Sequence, residues 1–260
     1  MVDWIAQEKT ATDLQLHPED FFTEQNIQLI RGVRITAINT EQHHITTDDG
    51  TLYHYTKLLL ATGASARPLI CKGSKESKGI IPFYTLSDTQ TIKDCIDQRT
   101  INNIVVIGGG ISGIECADAL KNFGKKITIL ERGPSILSKQ VPQHCAEYIQ
   151  HVLKTYHIDV QLNTTVDEII SNNDGWVTAI ILNNGTRITA DLVITALGST
   201  ANTDLAHHAQ LALNNGAIVT NTFLQTSHPD IFAAGDCALV NNLENNRPIR
   251  TALWPDAVAQ

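Results

Sequence analysis

Ile104-Val105-Val106-Ile107 are four β-branched apolar residues in a row, and they run directly into Gly108-Gly109-Gly110-Ile111-Ser112-Gly113. No other segment restricts the fold of this chain as much. A strand that is apolar at every position is buried on both faces, the condition of a parallel sheet with helices on either side. The glycines then turn the chain into a stretch over 111–123 with helix-forming composition, and a second apolar strand follows over 127–130. Strand, glycine turn, helix and strand make a β-α-β unit. In such a turn Gly108 permits the reversal, Gly110 lets a pyrophosphate approach the backbone, and Gly113 lets helix and strand pack closely. The N–H groups at the start of the helix then face the phosphates. Glu131 ends the second strand, 23 residues after Gly108. There a carboxylate accepts from adenosine ribose hydroxyls and repels a 2′-phosphate, so NADH is expected ahead of NADPH; the neighbouring Arg132 keeps NADPH as second choice.

The rest of the chain alternates strands with turns. Pro18, Glu19 and Asp20 ahead of Phe21-Phe22 predict the first turn of a short helix. Strands are expected over 27–30, 33–38 and 45–47, a hairpin turn at Asp49-Gly50, and an apolar strand over 57–61 ending at Thr62-Gly63. A helix over 86–96 precedes the glycine unit. After it come a helix over 142–155, strands over 159–162, 166–170 and 176–182, an Asn184-Gly185 turn and a strand over 192–196. Two stretches match. Gly50 precedes Gly63 by 13 residues, Gly185 precedes Gly198 by the same 13, and in each pair an apolar strand leads into the second glycine. That repetition predicts a duplicated dinucleotide fold, with Gly198 the counterpart of Gly63. The glycine loop lies 90 residues ahead of Gly198, so its equivalent in the first copy falls upstream of Met1. The reading therefore expects a first domain truncated at its N-terminus, and a chain that also stops as a helix begins after Trp254.

Two acidic residues stand out. Glu115 lies two residues past Gly113, where it either stabilises the positive end of the helix from its first turn or contacts the nicotinamide end of a cofactor. Asp236 follows Gly235 after the short apolar run Ile231-Phe232-Ala233-Ala234, which is either a plain turn or the carboxyl end of a strand facing a ligand crevice. The five cysteines are spread without CxxC spacing, and the ten histidines show no HExxH pattern, so no metal site is expected and a reduced, cytoplasmic setting fits. With 27 acidic against 19 basic residues and a net charge of −8, the chain gives nucleic acid or an anionic membrane little to bind. No uninterrupted apolar stretch suits a membrane span.

Together the Ala61-Thr62-Gly63 segment, the Gly108-to-Glu115 fingerprint and Gly235-Asp236, in that order, resemble the pyridine nucleotide-disulfide oxidoreductases, a family of flavoproteins with two dinucleotide domains. Leu253-Trp254-Pro255-Asp256-Ala257 is similar to the tryptophan-bearing segment of the rubredoxin, ferredoxin and nitrite reductase type. The resemblance implies that Thr62 and Gly63 pass close to FAD, that Asp236 binds its ribityl chain, and that Glu115 sits near stacked nicotinamide and flavin rings. It implies an α/β fold with two Rossmann-like domains and β-meanders, the FAD domain discontinuous and incomplete over 1–98 and 217–260, the NAD(H) domain over 99–216. The activity implied is hydride transfer from NADH to FAD and onward to an electron acceptor, either a small redox protein or a fused or downstream redox centre. Two other readings stand beside it. One is an NAD(H)-binding module without flavin or turnover; the other is a disulfide reductase whose redox cysteines lie upstream.

Overall fold

A computed structural model describes residues 2–6, 9, 10, 12–18, 20–241, 248–250 and 257. The chain divides into two compact units, one of Met1–Leu16 with Ala66–Gly198, the other of His17–Ser65 with Ser199–Gln260.

The first unit is built on a five-stranded parallel sheet, ordered Ile80–Pro82, Leu192–Thr195, Asn103–Ile107, Lys126–Leu130, Ile158–Gln161. The apolar run at 104–107 occupies the middle strand and is buried on both faces, as its lack of alternation requires. Ile104 and Val106 pack with Ile127, Ile129 and the helices Leu86–Gln98, Ile111–Leu120 and Gln143–Thr155. Val105 and Ile107 pack the other way, against Ile169, Val177, Ile180 and Leu182 of a three-stranded antiparallel meander, Val166–Ser171, Val177–Leu182 and Arg187–Thr189. Thr85 caps the Leu86–Gln98 helix by accepting from Asp88 N–H while the Asp88 carboxylate accepts from Thr85 N–H. The two ends of the long segment of this unit meet: Arg67 N–H donates to Gly198 O at 2.9 Å.

In the second unit a meander of Ile35–Asn39, His44–Thr47 and Leu52–His54 precedes the Leu58–Leu60 strand, which pairs in parallel with Ile231–Ala233. Both halves of the expected repeat thus run through a three-stranded meander into a parallel strand. All four spacing glycines have positive φ: Gly50 at 84°, Gly63 at 63°, Gly185 and Gly198 at 79°.

One expectation is corrected. Residues 27–30 form no strand; no ladder partner lies beside them among the described residues, and Ile27, Leu29 and Ile30 stand 43–47% exposed. The two compact units divide the chain at 65/66 and 198/199, beside the domain bounds of 98/99 and 216/217 expected from the sequence. The edge strand Ile80–Pro82 and the Leu86–Gln98 helix pack into the central sheet, and the chain after Gly198 packs with the second unit. The segment 253–256 lies outside the described residues. No described helix is long and apolar enough to cross a membrane.

Asp230 fastens the second unit's parallel pair. Its carboxylate accepts from Lys57 Nζ and lies 3.7 Å from His43 Nε2, and its N–H donates to His228 Nδ1 at 3.2 Å. The Lys57 hydrogen bond, then the Lys57, His43 and His228 charges, hold this carboxyl below its ordinary value. A carboxyl depressed in the folded state stabilises above its ordinary value and loses that contribution as pH falls through the depressed one. Melting curves taken from about pH 6 down to about pH 3 are therefore expected to show a shallower acid loss for Asp230→Asn than for the wild type. Parallel acid profiles would remove the assignment.

Candidate functional site

The glycine loop leaves the carboxyl end of Asn103–Ile107 and enters the Ile111–Leu120 helix. Each glycine has a distinct constraint. Gly108 has φ 117°, and a Cβ there would stand 2.4 Å from Ala196 O. At Gly113 a Cβ would stand 1.9 Å from Gly108 O, so this position is closed by the backbone of the loop itself. At Gly110 a Cβ would meet nothing within 4 Å, and Gly110 is the N-cap of the helix with no side-chain cap bond. The loop therefore shows open space directly before an uncapped helix N-terminus, which suits an anion that can approach the backbone.

Glu131 is tied to this loop. Its Oε2 accepts from Gly109 N–H and its Oε1 from Gly133 N–H, both at 2.7 Å. The carboxylate thus holds the glycine turn against the turn that follows the next strand. Each oxygen retains acceptor capacity for a further donor. Gly198, at the carboxyl side of the neighbouring Leu192–Thr195 strand, is exposed, and a Cβ there would meet nothing within 4 Å. Glu115 is exposed and is the fifth residue of a helix that begins at Ile111; the first turn contains no acid. The helix-end role considered for Glu115 is thereby set aside, because the favourable field of the helix N-terminus is concentrated in the first turn.

In the second unit Leu58–Leu60 and Ile231–Ala233 are in register, Leu60 opposite Ala233, so Thr62-Gly63 and Gly235-Asp236 emerge from the same end of neighbouring parallel strands. Ala234 N–H donates to Leu60 O at 3.1 Å, and Cys237 Sγ donates to Leu60 O at 3.4 Å. A residue that sequence reasoning missed organises this end. Asn202 Nδ2 donates to Thr62 O at 2.9 Å, Thr62 Oγ1 donates to Asn202 O at 2.7 Å, Asn202 N–H donates to Gly63 O, and Ser65 Oγ donates to Asn202 Oδ1. Asn202 lies 140 residues from Thr62, and no local pattern links them. All five cysteines are free thiols, Cys116 and Cys237 buried, and burial pushes the Cys116 thiol far up. Among the described residues no group of three or more His, Cys, Asp or Glu could hold a metal.

The profile of the family described as pyridine nucleotide-disulphide oxidoreductase matches residues 4–260. The chain belongs to that family. Among related oxidoreductases, a rubredoxin-NAD(+) reductase of Pseudomonas putida is 32% identical over 257 residues, covering 99% of this chain and 66% of the relative. Putidaredoxin reductase CamA of the same species is 34% identical over 262 residues, covering 99% and 61%. A solved complex of putidaredoxin reductase with putidaredoxin superposes with a TM-score of 0.92 at 32% identity, over 98% of this chain and 61% of that one. This member of the oxidoreductase family thus spans about two-thirds of the length of the relatives it matches. Its architecture of Rossmann-like α/β units with β-meanders is theirs.

Proposed function

We propose that this chain carries the nucleotide-binding parts of an NADH-dependent flavoprotein reductase that delivers electrons to a small redox protein. The observation that carries the reading is the loop at Gly108–Gly113: open at Gly110, closed at Gly108 and Gly113, and set before an uncapped helix N-terminus. That combination suits a dinucleotide pyrophosphate. Gly110 and the first N–H groups of the helix would receive the pyrophosphate, and Glu131, held by Gly109 and Gly133, would accept from the adenosine ribose. Thr62, Gly63, Gly235 and Asp236, brought to one end of a parallel strand pair, would hold the flavin side, with Gly198 at the equivalent strand end of the first unit. Glu115, exposed on the helix that leaves the loop, would serve the nicotinamide end. When bound, NADH supplies the hydride and FAD accepts it for onward transfer. The named relatives reduce rubredoxin or putidaredoxin by their printed names, and a partner of that kind is the acceptor we assign.

A second reading, an NAD(H)-binding module without flavin, is favoured by one fact. Among the described residues only one glycine-rich strand-to-helix loop is present.

Purified chain reconstituted with FAD is expected to retain yellow absorbance after gel filtration and to oxidise NADH with ferricyanide. NADH binding without retained flavin would establish the module reading in its place. Failure to bind NADH overturns both.

A further inference from the structure

The face of the central sheet that carries Val105 and Ile107 is not apolar throughout. Strand alternation places Lys126 and Thr128 on that face of one strand, Asp159 and Gln161 on that face of the next, and Asn103 on the face of the middle strand. Thr128 is in register with Val105 and with Asp159, so the polar residues lie side by side. Parallel strands with a helix or meander on each face ordinarily have no such polar set. Here the meander strand Arg187–Thr189 stands over them and leaves a cleft of about 380 Å³, lined by these residues and by Thr186, Arg187 and Thr189. Pockets of roughly 300 Å³ and above hold small metabolites.

Apart from Asn103, whose amide donates to Asp191 Oδ2 at 3.0 Å, the polar side chains of the lining are unspent. Thr128 is 6% exposed as a residue, its hydroxyl makes no hydrogen bond to the described residues, and, not being one of the enclosed polar atoms, it is reached from the cleft. The Gln161 amide likewise makes no side-chain hydrogen bond to the described residues, and Lys126 and Arg187 form no ion pair among them. A hydroxyl that no protein group engages is free to donate to, and accept from, a ligand or water. Two cations at one cleft supply charge-assisted donors for a carboxylate, Thr128 and Gln161 supply neutral hydrogen bonds, and Asp159 supplies an acceptor for a ligand hydroxyl while opposing a bare polyanion. Asn103 and Lys126 are the first residues of their strands, whereas the glycine loop follows the last residue of one of them. The cleft therefore begins at the opposite end of these strands from the nucleotide loop and runs along the sheet as far as Gln161, whose carbonyl accepts from Glu131 N–H.

We infer that this cleft is a second ligand site, for a small hydroxy-carboxylic acid, separate from the dinucleotide site. The inference does not depend on the proposed reductase activity.

Isothermal titration of the full chain with L-malate and with sulfate tests it. L-Malate is expected to bind saturably, about tenfold tighter than sulfate, and Lys126→Met or Arg187→Met to weaken it about tenfold each, the size of one charge-assisted contact. Thr128→Val is expected to weaken it severalfold while melting as the wild type does, and Asp159→Asn to abolish the preference over sulfate. NADH affinity, read separately, is expected to be unchanged in all four variants. No saturable malate binding, binding indifferent to Lys126, Arg187 and Thr128, or sulfate binding as tightly as malate would each overturn the assignment.

Discussion

Gly113→Ala is expected to lower the melting temperature by roughly 10 °C and to abolish NADH binding, whereas Gly110→Ala three residues earlier is expected to melt with the wild type and lose only the nucleotide. The difference lies in what a methyl group meets. At position 113 it would stand 1.9 Å from the carbonyl oxygen of Gly108, a backbone atom that cannot swing aside as a side chain can. The glycine loop must move, and forced repacking of this kind costs about 3 kcal/mol, the upper end of its usual range. At position 110 φ is −80° and nothing lies within 4 Å of the added carbon, so neither strain nor collision opposes it. The methyl instead occupies the space through which a pyrophosphate reaches the backbone, and an affinity loss of at least about tenfold follows if one close contact is removed. Circular dichroism melts and fluorescence titration with NADH separate the two effects. Wild-type NADH affinity in Gly110→Ala would show that the diphosphate does not bind at this loop.

Glu131 is expected to be the second most sensitive position, and in a manner that glutamine does not rescue. Its two carboxylate oxygens accept from Gly109 and Gly133 N–H groups, and the Gly109 end is buried. In Glu131→Ala both donors lose their acceptor, at about 1–3 kcal/mol for each that stays dry. In Glu131→Gln one acceptor survives, but the amide NH₂ faces the other N–H, donor against donor. Both variants are therefore expected to be less stable than the wild type and to bind NADH at least about tenfold more weakly. NADPH binding is expected to fall less, since removal of the carboxylate also removes its repulsion of a 2′-phosphate. Equal losses for the two nucleotides would leave Glu131 as a loop brace without a role in choosing between them.

The sequence exposed this loop fully because its constraints are local. An all-apolar strand, three spaced glycines and a terminal acid each act within a few residues of where they are read, and 13-residue spacing ending in positive-φ glycines carried the repeat just as directly. Where a residue's role depends on a distant partner, the reading failed. Ile27, Leu29 and Ile30 have the composition of a strand, but composition cannot supply a neighbouring strand to pair with. Ile80–Pro82 escaped notice because it is three residues long and ends in proline, which an edge strand tolerates. That strand lies ahead of the domain boundary expected at 98/99. Glu115 was considered for the first turn because it follows Gly113 so closely, but with the helix beginning at Ile111 it is the fifth residue and lies past that turn. Asn202 gave no warning, since its partners Thr62 and Ser65 are about 140 residues away in the chain.

The bond from Arg67 N–H to Gly198 O bears on how such a chain reaches its fold. Leu58 and Ile231 must find each other across 173 residues before the second unit can close, and a flexible loop of that length carries a large entropic cost. Most of the intervening residues belong to the first unit, whose long segment begins and ends within one hydrogen bond of itself. Once that segment has collapsed, the search shrinks to that of a short tether, so the inserted portion is the one that gains by condensing first and the outer portion inherits its order from it.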